Sequence, residues 1–238
     1  PEFLPLSAEQ AAKLTKGRLP SFSPREDDTM VHKAQNLLDG DKYIRAVVDA
    51  AGCAEVIGED LGSVPDYVRP HLLELGVAGF KVCHWELDSR GIVIPVEEYP
   101  ECSFACYSTH DMAPLKKLWE EARHDAQSGP DKRDAELKLK ALSQFAGLPV
   151  QRRGKEYPAY SHKLKKAFLE TLLSAGSRYA AIQINELVDS SVQINFPGTV
   201  GDQNWTYRVS WEFGSIPKTV QREMDKLQRL ITKYDRGA

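Results

Sequence analysis

Nowhere in the 238 residues do about 20 apolar side chains follow one another, the run a membrane-crossing helix requires, and no charged, apolar and small-residue succession resembles a signal peptide. No membrane contact and a cytoplasmic location are the expectation. Charge of one sign is lacking too: 31 Lys and Arg stand against 34 Asp and Glu, spread along the chain, for a net charge of -3. Without a basic field there is no footprint for nucleic acid, and without an acidic tail none for a cationic partner. Cysteine is sparse. Cys53, Cys83, Cys102 and Cys106 lie in or beside strand-like stretches, where free Cys acts as a small buried hydrophobe, so disulfides are not expected. Cys102 and Cys106 have no His or Cys pair at zinc-site spacing, so no metal site is expected either. Internal repeats and low-complexity segments are absent. An initiator Met is missing as well, and the opening residues read as cut from something longer.

What is present suits a folded α/β chain. At 42% hydrophobic residues a chain of this length can build a substantial core. Residues 1–40 read as an irregular lead-in, with four prolines in the first 29 residues and at most a helical turn or two near Ala8–Lys16. A helix is expected from about Asp41 to Ala51, ended by Gly52. Strands are expected at 54–57, 79–85, 104–108 and 178–184, and helices at about 65–76, 113–127, 132–146, 161–175 and 217–234. The first three strands end roughly 25 residues apart, which suits βα units in a parallel sheet or barrel.

In such folds ligands bind beyond the carboxyl ends of the strands, where βα loops converge. That rule selects "GEDLG", "HWE", "STHD" and "QINE". Glu59, at the mouth of an apolar strand, is placed to be partly desolvated and to exchange a proton, although Glu59 or Asp60 would equally serve as a cap for the following turn, Asp60 the better of the two. His110 and Asp111 end the third strand. A second carboxylate facing a sugar-sized cleft would complete the equipment of glycoside chemistry, and the same pair would also suit a helix N-cap.

Three motifs in order, "VIGEDLGSVPDYVRPHLLELGVAGFKV", "YSTHD" and "INFPGTVGDQNW", resemble the 4-α-glucanotransferases called amylomaltases or disproportionating enzymes, glycoside hydrolase family 77, over about residues 40–212. The resemblance implies a (β/α)8 barrel of which residues 41–238 would be the C-terminal half with inserted helices. It implies retaining transfer of α-1,4-glucan segments between maltooligosaccharides, with no cofactor, because carboxyl groups and positioning suffice. By motif position Glu59 matches the acid/base, Asp111 the transition-state-stabilising carboxylate and His110 a sugar-binding neighbour. Gln183 and Asn195 are weaker carry-overs as substrate-binding rim residues. The family's nucleophile, an aspartate in an Arg-x-Asp motif upstream of the acid/base, has no match before Ala54: "PREDDT" follows no strand, and "RHDA" at 123–126 lies downstream in a helix. The isolated chain is therefore expected to be inactive, with the missing N-terminal half barrel as its partner. The alternative is a non-catalytic α-glucan-binding remnant. Trp85, Trp119, Trp205 and Trp211 suit sugar stacking, but most of them are expected in the core.

Overall fold

The computed structural model describes residues 9, 10, 13, 16, 25–151, 156–212 and 214–237. The helical turns expected near Ala8–Lys16 lie for the most part outside these residues. The chain divides into two compact units, Pro1–Phe80 and Lys81–Ala238.

The first unit opens on helix α1 (Met30–Ala51), whose N-terminus is capped by the Thr29 hydroxyl accepting from the His32 N–H at 3.1 Å. The irregular lead-in expected to residue 40 is thus corrected: the helix begins at Met30. No apolar stripe advertised this stretch, because Met30, Val31 and Leu38 are exposed and Gly40 sits in the middle of the helix. The side chain it buries is polar. Asn36 donates to Arg25 O at 2.8 Å and accepts from Arg25 N at 3.0 Å, which fastens the preceding loop to the helix. Strand β1 (Ile57–Gly58), helix α2 (Val68–Glu74) and strand β2 (Ala78–Val82) follow as a right-length crossover unit, with Ile57 paired to Ala78 and Gly58 to Gly79 in parallel. Gly76 takes φ 72 just after α2, a left-handed turn that a residue without Cβ makes at little cost. The boundary between the units falls within β2.

In the second unit a short 3-10 turn (Val96–Glu98) leads to β3 (Ser103–Cys106). Helices α3 (Leu115–Ser128), α4 (Lys132–Phe145) and α5 (His162–Leu173) precede β4 (Tyr179–Ala180), the one-turn α6 (Ile184–Leu187) and α7 (Lys218–Lys233). β3 and β4 pair in parallel, Phe104 with Tyr179 and Ala105 with Ala180. Each expected strand and helix exists, although the strands are shorter than their apolar runs. The stretch expected as strand through residue 184 leaves β4 at Ala180 and turns into α6, with Gln183 as its N-cap residue.

The core of this unit lies between the helices and β3. Phe168 stands edge-on to Tyr107 and Trp119, at 6.0 and 6.5 Å between ring centroids, and meets Phe145 at 5.3 Å. The Trp119 indole N–H leaves this apolar setting satisfied, donating to Pro158 O at 2.9 Å. α7 joins through buried Leu230, and beyond its end the Arg236 guanidinium donates to the carbonyls of Leu173 and Ala175, which closes the C-terminus of α5. Cys83 and Cys106 are buried as expected; Cys53 is exposed instead, since the strand beside it starts only at Ile57. Phe168→Ala should lower the unfolding free energy by about 3–5 kcal/mol in a urea titration, and a loss under about 1 kcal/mol would remove Phe168 from the centre of this core.

Candidate functional site

In the first unit the "GEDLG" lip separates its two carboxylates. Asp60 is buried and accepts from the Phe80 N–H at 2.6 Å and from Arg69 Nε at 2.9 Å, while Arg69 also donates to its carbonyl at 3.0 Å. It does not cap the turn. It locks the lip onto the strand next to it, and it lies so close to Gly79 that a Cβ there would meet Asp60 Oδ2 at 2.9 Å. Glu59 is exposed, and its carboxylate has no hydrogen-bond or ion-pair partner among the described residues. The desolvation expected for Glu59 is therefore not found within this unit: the structural role went to its neighbour, and Glu59 is left open to a ligand.

In the second unit two loops are laced together. The loop after β3 carries His110 and Asp111, and the one after α6 carries Gln193 and Asn195. Asn195 donates through Nδ2 to Asp111 Oδ1 at 2.6 Å, and its backbone N–H donates to His110 O at 3.0 Å. Gln193 Nε2 donates to the carbonyls of Asp111 and Asn195, at 3.1 and 2.9 Å. His110 Nε2 lies 3.2 Å from the same Asp111 oxygen, Oδ1, so both side-chain partners fall on one oxygen. The Trp205 ring lies over His110, 4.9 Å between centroids at 39°. Trp205 is exposed and held in place by its backbone, with φ 61 and its N–H donating to Ile194 O at 2.9 Å. Asn204 braces the same loop by accepting from Phe196 N and donating to Thr199 O.

Behind these loops sits a buried carboxylate. Glu186 is 4% exposed, accepts the Leu115 N–H on Oε1 at 3.0 Å and on Oε2 at 2.9 Å, and accepts the Ser108 hydroxyl. Gln183 Nε2 donates to that hydroxyl oxygen at 2.8 Å. Burial pushes the Glu186 carboxyl up from its ordinary 4.5 to about 7, against the opposing pull of Ser108, the Leu115 N–H and Lys165. Lys165 itself is buried and donates to Leu187 O at 2.6 Å, with Asp189 and Glu223 each at 3.2 Å. At the end of β2, burial holds His84 down at about 4, and its Nδ1 is buried with no hydrogen-bond partner among the described residues.

The structure thus brings His110, Asp111 and Asn195 into one contact group. Gln183 belongs to the Ser108 and Glu186 cluster, one layer behind, and Glu59 belongs to the first unit. Gln193 and Glu186 were not singled out from the sequence, and Trp205 was named only as one of four tryptophans suited to stacking. Trp205 closes the "INFPGTVGDQNW" motif and Glu186 closes "QINE", so each had a signal, whereas nothing local marks Gln193. The expectation that most tryptophans are core is overturned: Trp119 is buried, but Trp211 is half-buried and Trp85 and Trp205 are exposed. Among the described residues no three His, Cys, Asp or Glu side chains gather as a metal ion would need.

A carboxyl with a raised folded-state value keeps its proton longer in the native state than in the unfolded chain, so stability is greatest below about 4.5 and is lost as pH rises through about 7. Between pH 5 and 7.5 thermal stability should carry a downward slope from this group, worth about 3 kcal/mol at most. Lys165 on α5, Asp189 after α6 and Tyr107 after β3 face the same carboxyl and remain in the variant. Glu186→Gln should flatten that slope, and an unchanged slope would show that the carboxyl is ionised throughout.

Comparison with known proteins agrees with the resemblance in the three motifs. The glycoside hydrolase 77 family, described as 4-alpha-glucanotransferase, matches residues 21–214. The 4-alpha-glucanotransferases of Chlamydia muridarum and Chlamydia caviae are 33% and 34% identical over 162 and 163 residues, 64% of this chain in each case. The matched region is 28% of either relative, so the chain spans well under half the length of the proteins it matches. In three dimensions it is similar to the amylomaltase of Streptococcus agalactiae, solved in complex with acarbose, with TM-score 0.57 and 20% identity over 84% of this chain and 35% of that one. The amylomaltase of Corynebacterium glutamicum gives TM-score 0.58 and 23% identity over 85% of this chain and 31% of that one. At these identities the structural likeness speaks for the fold: the parallel strands and their helices are part of a TIM-barrel-type arrangement. With a family match running over most of its length, the chain belongs to the glycoside hydrolase 77 family of 4-alpha-glucanotransferases.

Proposed function

We propose that this chain carries one part of the active site of a 4-α-glucanotransferase that moves α-1,4-glucan segments between maltooligosaccharides with retention of configuration. The observation that supports this most is the half-buried Asp111, tied on one oxygen by Asn195 and by His110, which the Trp205 ring packs against. An aromatic face next to a carboxylate with a free oxygen suits a pyranose, whose C–H face stacks while its hydroxyls donate. In this reading Asp111 Oδ2 accepts sugar hydroxyls and tightens on them as the ring flattens towards the oxocarbenium-like transition state. His110 orients the ring, and Asn195 holds the carboxylate in place. Glu59 protonates the glycosidic oxygen and later takes the proton of the acceptor hydroxyl. Gln183 acts from behind, through Ser108, rather than on the sugar.

The fold of this reading is the C-terminal half of a (β/α)8 barrel, and its location is the cytoplasm. In the family's pattern the nucleophile, in an Arg-x-Asp motif, lies upstream of the acid/base, and no match to that motif stands between Pro1 and Ala54. The second reading is a chain that binds α-glucan without cleaving it.

Disproportionation of maltotriose, followed by chromatography, separates the two. The chain alone should give no transfer, and turnover by it would overturn the placing of the nucleophile. Supplied with the N-terminal half of a family member, it should gain transfer activity that Glu59→Gln lowers by about 100-fold or more and Asp111→Asn by a similar factor. Maltoheptaose binding with no turnover under any of these conditions would favour the binding reading.

A further inference from the structure

Eight residues, Ser108 to Leu115, connect the end of β3 to the first turn of α3, and His110 and Asp111 sit within them. Both ends of this loop meet the same side chain. Glu186 accepts the Ser108 hydroxyl on one oxygen and the Leu115 N–H on both, at 3.0 and 2.9 Å. Leu115 is the first residue of α3 and its N–H has no partner inside the helix, so the carboxylate satisfies a donor the helix leaves open and adds negative charge at its positive end. The residue before α3 is Pro114, which has no side-chain cap to offer, so this work falls to a residue 71 positions away. Inside the loop the bonds are fewer and local: Asp111 N to Thr109 Oγ1 at 3.3 Å and Met112 N to Thr109 O at 3.1 Å.

We propose that Glu186 is the positioning residue of the Asp111 site, a single buried carboxylate that fixes both ends of the loop 108–115 and so sets where Asp111 and His110 stand. The inference rests on the reading of Asp111 as a glucan-facing carboxylate. It goes beyond that reading in assigning the accuracy of the site to a side chain that touches neither Asp111 nor a ligand. Chain geometry supports the division of labour. The lacing by Gln193 and Asn195 grips the middle of the loop from outside, and Glu186 grips its two ends from within. Glu186 is itself fixed on α6, next to Leu187, whose carbonyl receives the buried Lys165 ammonium at 2.6 Å, and its own N–H donates to Asn185 Oδ1 at 3.0 Å. A loop held at both ends by an element that is itself anchored has little freedom to shift its carboxylate, and a shift of an ångström is enough to matter for transition-state contacts.

The test is amide hydrogen exchange on the full chain together with titration by maltoheptaose, for the wild type, Glu186→Ala, Glu186→Gln and Ser108→Ala. Amides 109–112 should exchange about tenfold faster in Glu186→Ala, while those of β3 and α5 keep their wild-type rates. Glu186→Gln, which keeps an oxygen for the Leu115 N–H, should fall between the two, and Ser108→Ala should loosen the same amides by releasing one end only. Maltoheptaose should bind about tenfold more weakly to Glu186→Ala than to the wild type. Unchanged exchange at 109–112, or an equal rise throughout the second unit, would overturn the proposal, because the second pattern marks a residue that serves stability alone. Should Glu186→Ala fail to fold, Ser108→Ala decides by the same pattern. A wild type that binds no maltoheptaose would fail the glucan reading of the site, and the exchange rates would then uphold or overturn the tether by themselves.

Discussion

A carboxylate taken out of water costs several kcal/mol unless donors meet it where it comes to rest, and each of the two units settles one such group on a main-chain N–H. Asp60 rests on Phe80 N and Glu186 on Leu115 N. Both bonds join stretches distant in sequence, and both hold a loop that leads away from the carboxyl end of a parallel strand. The loops stand where they do because these carboxylates have so few places to go. The exposed Glu59 of one unit and the half-buried Asp111 of the other then each take their position from a loop held by a carboxylate that burial has fixed.

Much of this was legible in the sequence. Alternation of apolar runs with Gly and Pro punctuation marked β1, β2, β3 and the helices after them, because parallel strands and the faces packed on them must be apolar. The adjacency of His110 to Asp111 at a strand end pointed to a rim, Asn195 came in only through the family resemblance, and the structure brings those three residues into contact. What escaped notice shares a physical cause. The first third of α1 buries an amide rather than an apolar stripe, so hydropathy carries no trace of it. Glu59 was expected to be the desolvated acid, yet desolvation went to Glu186, since burial of an ionisable group depends on what folds over it and not on the residues beside it. Gln193 holds two carbonyls from a loop with no periodicity to read. Trp205 reaches His110 only because its backbone adopts φ 61, a conformation sequence does not announce for tryptophan.

The Asp111 and Glu59 carboxylates, one in each unit, differ in how they are supported. Asp111 is engaged from the side by an amide and an imidazole, which direct its free oxygen without neutralising it. Glu59 is held by nothing but its backbone, which Asp60 fixes one residue later.

The contact between Asp60 and Gly79 ties two distant positions into one unit of inheritance. The Asp60 carboxylate cannot retreat from a methyl group at position 79, because Phe80 N and Arg69 hold it from two sides. A side chain at 79 presses on the acid at 60, and losing that acid first takes from the half-buried Phe80 N–H the acceptor that holds the lip in place. Each single step passes through a damaged intermediate, so the pair is shielded from gradual drift, and among relatives the glycine and the aspartate should be retained or replaced together.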